Sequence, residues 1–272
     1  MDQLRIGRLM VERAYLKLDH GQLHYRHSGM GPGAGIPLLL LHQSPSDSRM
    51  YGKLMTELDS EFRLLAPDTP GFGSSDPLPA GVNLEVCAAA MLALLDALDI
   101  EQCHLFGHHT GAAVAVELAA LAPQRIKRVA LCGPPLLSPE LRAALPGKAA
   151  PFPIDRDGSH LLGMWQRMAG KEAAASPQLL LREVMSAFAA GDSYAQSYQA
   201  VAAQDFESLL RGLRQPTLVF AGSEDILYPQ LEPSFACLQN GYLREVDGAA
   251  SYICETRPAE VAGLLREFLL DD

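Results

Sequence analysis

The 272-residue chain has little with which to hold a polyanion, a disulfide framework or a bilayer. Its 22 Lys and Arg stand against 32 Asp and Glu, a net charge of −10. Nothing in that balance favours a row of phosphates or an anionic membrane surface. The five cysteines (Cys87, Cys103, Cys132, Cys237 and Cys254) are an odd number without C-x-x-C spacing, and three lie inside apolar runs, which is the pattern of buried free thiols. The longest apolar run read, Ile36–Leu41, has the length of a strand and falls far short of a membrane span. The first fifteen residues have neither an uninterrupted apolar stretch nor a small-residue cleavage site, so no signal peptide and a cytoplasmic setting are expected. There is one tryptophan, and no internal repeat or low-complexity tract. What the chain has in quantity is apolar residues, 48% of the total. A chain of this length buries roughly three quarters of its unfolded surface, so core size is not limiting.

Hydrophobic patterning orders the chain. Ala14–Leu18 and Gln22–His27 flank Asp19-His20-Gly21 and predict a hairpin. Continuously apolar runs at Ile36–Leu41, Phe62–Ala66, Cys103–Phe106, Val129–Cys132 and Thr217–Ala221 have the form of strands buried on both faces of a parallel sheet. Helical patterns alternate with them at Met50–Leu58, Leu84–Leu98, Ala112–Ala122 and Ala259–Leu270, which predicts an α/β class with helices on both faces. Gly31–Gly35 precedes a strand rather than following one, so it is a connector and not a dinucleotide loop. Between Gly133 and Pro216 roughly eighty residues carry helical patterns and no convincing strand. This stretch, 134–215, predicts a helical lid inserted into a core made of 1–133 and 216–272. Its Met164, Trp165, Met168, Phe188, Tyr194 and Tyr198 suit either a lid core or the lining of a pocket.

The chemistry is concentrated at Gly107-His108-His109-Thr110-Gly111. A short strand precedes it and an alanine-rich helix follows, the context of a strained turn that presents its middle residue to a site. With Leu41-His42-Gln43-Ser44-Pro45, the segment Ala66–Asp76 containing D-x-x-G-x-G-x-S, and Ala221–Pro229 containing G-x-x-D-x-x-x-P, the chain resembles the α/β-hydrolase superfamily over nearly its whole length. The resemblance implies an α/β-hydrolase fold, a mostly parallel sheet with a helical lid between two core strands. It implies Asp225 as the acid and the backbone N–H groups of Gln43 and Thr110 as an oxyanion hole. His109 stands where the family has its nucleophilic serine. Ser251, in Gly248-Ala249-Ala250-Ser251-Tyr252, stands where the family has its histidine.

His109, Asp225 and Ser251 are therefore the candidate catalytic set, and three readings are open. His109 acts as base or nucleophile in hydrolysis of a small ester, thioester, lactone or activated C–C bond. Alternatively it abstracts a proton beside a carbonyl in a cofactor-free lyase, decarboxylase or isomerase. In the third reading the site is silent and the lidded pocket binds a ligand. His42, His108, Met164, Trp165 and Tyr198 are candidate substrate contacts, with structural roles as the competing reading for the two histidines. Arg156 and His160, in the lid segment Asp155–His160, are a possible clamp for a substrate carboxylate. Cys254 is expected to be an inert core thiol. No cofactor is implied, and no metal, because the side chains of His108 and His109 are expected to point apart and no further ligands stand at sensible spacing from His42. A small molecule is the expected partner, with neither nucleic acid nor membrane. Homodimer formation is left open.

Overall fold

The computed structural model describes residues 11–19, 21–29 and 35–270. Eight strands form one sheet: β1 (Glu12–Leu18), β2 (Gly21–Ser28), β3 (Leu38–Leu41), β4 (Leu64–Pro67), β5 (Cys103–His108), β6 (Ile126–Cys132), β7 (Thr217–Gly222) and β8 (Gly241–Val246). Their order across the sheet is β1-β2-β4-β3-β5-β6-β7-β8. The β1–β2 and β2–β4 pairs are antiparallel, and every other pair is parallel. The α/β-hydrolase fold expected from the motifs is thus observed. His20 of the expected hairpin turn, Gly31–Ala34 of the expected connector and the first ten residues lie outside the described residues.

The central strands are apolar on both faces because both faces are covered. In β3, Leu39 and Leu41 point into a core shared with α2 (Leu84–Ala97) and α3 (Thr110–Leu121). Leu38 and Leu40 point into the opposite core, with α1 (Gly52–Leu58) and the C-terminal helix α11 (Pro258–Leu270). At 25 cal/mol per Å², each fully buried leucine contributes about 2 kcal/mol, so four in a row fix both the position and the face of β3. The edge strand β8 has no such run. Its Gly-Tyr-Leu-Arg-Glu-Val alternates between half-buried and exposed, and hydrophobic periodicity alone gave it no signal.

Between β6 and β7 the chain is helical: α4 (Pro139–Lys148), α5 (Ser159–Ala169), α6 (Pro177–Ala190), α7 (Asp192–Ala203) and α8 (Phe206–Gly212). Met164, Met168, Leu180, Val184 and Tyr194 form a third, separate core for α5–α7. Phe206 and Leu210 of α8 instead pack into the core that holds α2 and α3, so the last of the five helices belongs with the sheet. Two short helices, α9 (Leu231–Ala236) and α10 (Ile253–Thr256), complete the chain order. All five cysteines are free and buried, as expected. No described helix is long and apolar enough to cross a membrane.

Candidate active site

The C-terminal ends of the parallel strands meet at one edge of the sheet, where α/β folds gather their ligand-binding loops. Strand β5 ends at His108, and His109 occupies the turn into α3 with φ 49° and ψ −110°. A non-glycine residue in that conformation carries on the order of 1–3 kcal/mol of strain and persists where its surroundings over-determine it. The surroundings here are two glycines. A Cβ on Gly111 would lie 1.9 Å from the Leu41 carbonyl oxygen, and one on Gly107 would lie 2.5 Å from that of Gly111. Only hydrogen at both positions lets α3 start tight against β3 and β5.

From this turn the His109 ring crosses to the end of β7. Its Nε2 lies 2.9 Å and 3.1 Å from the two carboxylate oxygens of Asp225. The ring lies so close over Gly133, just past β6, that a Cβ there would sit 2.4 Å from Nε2. Burial pushes the Asp225 carboxyl up, but the charge and hydrogen bond of His109, the Leu227 amide at 2.7 Å and His108 outweigh it. The net effect holds Asp225 well below the usual carboxylate range. An ionised acceptor on Nε2 selects the tautomer with the proton there. Nδ1, which has no partner among the described residues, is left as the free lone pair.

Opposite the elbow, His42 is 1% exposed and fixes the loop after β3. Its Nε2 accepts from the Thr69 amide at 2.9 Å, so Nδ1 is the donor to the Gln43 carbonyl at 3.0 Å. Asp68 holds the same region: it accepts from His24 Nδ1 at 2.8 Å and from the Ser48 amide at 2.7 Å. The Ser44 amide reaches the Thr110 hydroxyl at 3.4 Å. The backbone N–H of Gln43 donates to no described protein group. Ser251 is held from both sides: Gln43 Nε2 donates to its carbonyl at 3.2 Å, and the next amide, that of Tyr252, donates to Glu172 at 2.8 Å.

These groups open on a cavity of about 670 Å³, between the sheet edge and the inserted helices. His109, Thr110, Ser44, Ser251 and Tyr198 line it, together with the apolar Leu137, Leu141, Leu145 and Leu227. No hydrogen bond joins the Ser251 hydroxyl to His109, because the elbow ring turns toward Asp225 instead.

Several sequence expectations are corrected. His42 does not face the cavity, since both its ring nitrogens are spent on backbone. His108 is fully buried behind the elbow, its Nδ1 3.7 Å from Cys254 Sγ, and burial pushes its protonation well below the ordinary range. Met164 is buried among the inserted helices and Trp165 packs on that same cluster; neither lines the cavity. Arg156 is exposed, and His160 Nδ1 accepts from the Asp155 amide within its own turn, so the pair forms no clamp over the cavity. The rings of His108 and His109 do not diverge; their centroids are 4.6 Å apart. With Asp225 they bring one ligand atom each within 4.8 Å of one another. That is the donor set that could hold a transition metal ion, although His109 and Asp225 are already committed to each other.

Lys148, Arg167 and Lys171 line the cavity and were not singled out in the sequence; Tyr194, which the sequence offered as lid core or pocket lining, lines it as well. A lone lysine in Gly170-Lys171-Glu172-Ala173 carries no spacing signal; only the packing of the helices brings it over the elbow.

Residues 36–237 match the alpha/beta hydrolase fold family. The chain belongs to that family, the class that its fold and the elbow at the sheet edge define. A 2-hydroxymuconate semialdehyde hydrolase of Pseudomonas sp. strain CF600 is 38% identical over 105 residues, a match covering 37% of this chain and 37% of that protein, little more than a third of its length. A non-heme chloroperoxidase of Streptomyces lividans is 27% identical over 84% of this chain and 89% of its own. Among solved structures, the enol-lactonase from Burkholderia xenovorans LB400 superposes with a TM-score of 0.76 at 25% identity, covering 95% of this chain and 100% of that one.

Proposed function

We propose that the chain is a hydrolase of a small acyl or carbonyl compound (an ester, thioester, lactone or activated C–C bond) in which His109 serves as general base in place of a serine nucleophile. The observation that carries this is the His109–Asp225 pair at 2.9 Å, on a strained elbow that opens on the cavity. Asp225 holds Nε2–H, so Nδ1 takes a proton from water as the water oxygen bonds to the carbonyl carbon. The Gln43 and Thr110 amides receive the oxyanion. The tetrahedral intermediate then collapses, and the leaving group departs with the proton held on Nδ1. General-base assistance of this kind is worth about 10²–10⁴-fold and one oxyanion donor about 10²–10³-fold, so no acyl-serine is required. The inserted helices act as a lid that keeps bulk water from the site, and the hydrolase names among the relatives support the reaction class.

Turnover of p-nitrophenyl esters, acyl thioesters and lactones in H₂¹⁸O tests this. One ¹⁸O atom in the acid product is the expected result. A product formed from the same substrates without label would assign proton abstraction by His109 and a non-hydrolytic reaction. No turnover together with saturable ligand binding would assign a silent binding site.

A further inference from the structure

The cavity is asymmetric in charge. Lys148, Arg167 and Lys171 line it, and the one acidic residue among the described lining residues, Glu224, is exposed. Elsewhere several arginines are matched to carboxylates: Arg49 to Asp47, Arg182 to Glu183 and Glu255, Arg266 to Glu61. The three cavity cations form no such pair among the described residues. Arg167 lies over the Phe152 ring at 4.2 Å and donates to the Ala150 carbonyl. Among the described residues, Lys171 donates to the Ser44 carbonyl alone, at 3.4 Å. In a protein of net charge −10, three cations without carboxylate partners around one partly enclosed space are a local reversal of sign.

Lys171 is the best placed of the three. The Ser44 carbonyl that it touches also receives the Tyr198 hydroxyl at 3.5 Å, and the Ser44 amide reaches Thr110 of the elbow turn. The ammonium and the phenol therefore converge on Ser44, the residue after Gln43, whose amide has no partner among the described residues and is assigned to the oxyanion by the hydrolase reading. Both contacts are long, so a stronger acceptor would displace them at little cost. The same cavity is also lined by Leu137, Leu141 and Leu145.

We infer that Lys171, with Tyr198 beside it and Arg167 reinforcing the field, forms a subsite for a substrate carboxylate, so that the compound turned over is an acid with a second, reacting acyl or carbonyl group and an apolar portion against the leucines. The assignment rests on the hydrolase reading for the place of the reacting carbonyl. A carboxylate on Lys171 replaces a long ammonium–carbonyl contact by a hydrogen-bonded ion pair in which both partners are charged. A hydrogen bond to a charged group is worth roughly 1.5–3 kcal/mol, or about 10- to 100-fold.

The experiment compares p-nitrophenyl pentanoate with the mono-p-nitrophenyl ester of glutaric acid, which differs from it chiefly by a terminal carboxylate. Lys171→Met is expected to lower the charged-to-neutral ratio of kcat/KM by about 10- to 100-fold, mostly through KM, and Lys171→Arg to restore most of it. An unchanged ratio, or equal loss on both esters, would overturn the subsite and leave Lys171 as a prop for the loop. If neither ester is turned over, the hydrolase reading fails separately, and calorimetric titration with monomethyl glutarate decides the subsite. Saturable binding that weakens tenfold or more in Lys171→Met upholds it; absent binding, or equal binding in both proteins, overturns it.

Discussion

The two walls of the cavity are built differently. Behind the sheet-side wall His42, Asp68 and Asp225 are all buried, and each is engaged by backbone groups or by a second side chain at 2.7–3.0 Å. On the helical side Lys171 and Tyr198 make contacts of 3.4 and 3.5 Å, and Lys148 has no ion pair. The first wall is preorganised, as proton transfer at a stated atom requires; the second is free to exchange its partners for those of a ligand. The helical region is itself divided. Its α6 is tied to the core by Arg182, which binds both Glu183 and Glu255, by Glu183 accepting from Ser46 at 2.9 Å, and by Arg49 reaching Ser186. Among the described residues no ion pair holds α4 or α5, the helices that bring Leu141, Leu145 and Arg167 to the cavity; Arg142 of α4 donates to the Ala202 and Gln204 carbonyls, and the Tyr252 hydroxyl donates to the Met168 carbonyl of α5 at 3.3 Å.

Breaking the preorganised wall has the largest expected effect. Asp225→Asn removes the ionised acceptor that selects the His109 tautomer, and turnover is expected to fall by about 10²–10⁴-fold with substrate binding retained, as read from kcat at saturating substrate. Next comes the anchor of α6. Arg182→Met leaves the fully buried Glu183 without its cation, and urea unfolding should show a loss of about 3–5 kcal/mol; a loss below about 1 kcal/mol would mean that the tie is immaterial.

Acid probes the sheet side through Asp47. Burial pushes this carboxyl up, but its hydrogen bonds and charge interaction with Arg49 bring it down to about 2. A depressed folded value stabilises the protein above the unfolded carboxylate range and is lost as pH falls through the folded value. About 2 kcal/mol should therefore disappear between roughly pH 4 and 2. Asp47→Asn should flatten that part of the pH–stability curve, and an unaltered slope would count against the pairing. The smallest effect is expected from Ser251→Ala. Without a hydrogen bond to His109, the hydroxyl should be worth about threefold or less in kcat/KM. A loss equal to that of removing His109 would restore the permuted pair suggested by the sequence.

What was legible in the sequence follows the physics of each element. The apolar runs of β3, β5, β6 and β7 could be read because both faces are buried. The edge strand β8 could not, since only its context makes Tyr242 and Arg244 strand residues. The elbow was legible because its glycines must occupy Gly107 and Gly111 whatever the central residue. Where the His109 ring turns was not, because that depends on Gly133 and Asp225, brought together from β6 and β7. His42 and His108 look like site residues in one dimension, yet a histidine beside a functional loop serves equally well by holding backbone, and only its partners decide. Lys171 shows the converse: its importance lies wholly in which helices pack over the sheet edge.

The central claim is that His109 is the reacting base. Its most direct test is kcat/KM for the best ester or thioester with the wild type beside His109→Ala, with calorimetric binding of the acid product measured in parallel. The account predicts that turnover falls to the uncatalysed background while product binding persists. Turnover of His109→Ala within a few-fold of wild type would contradict it.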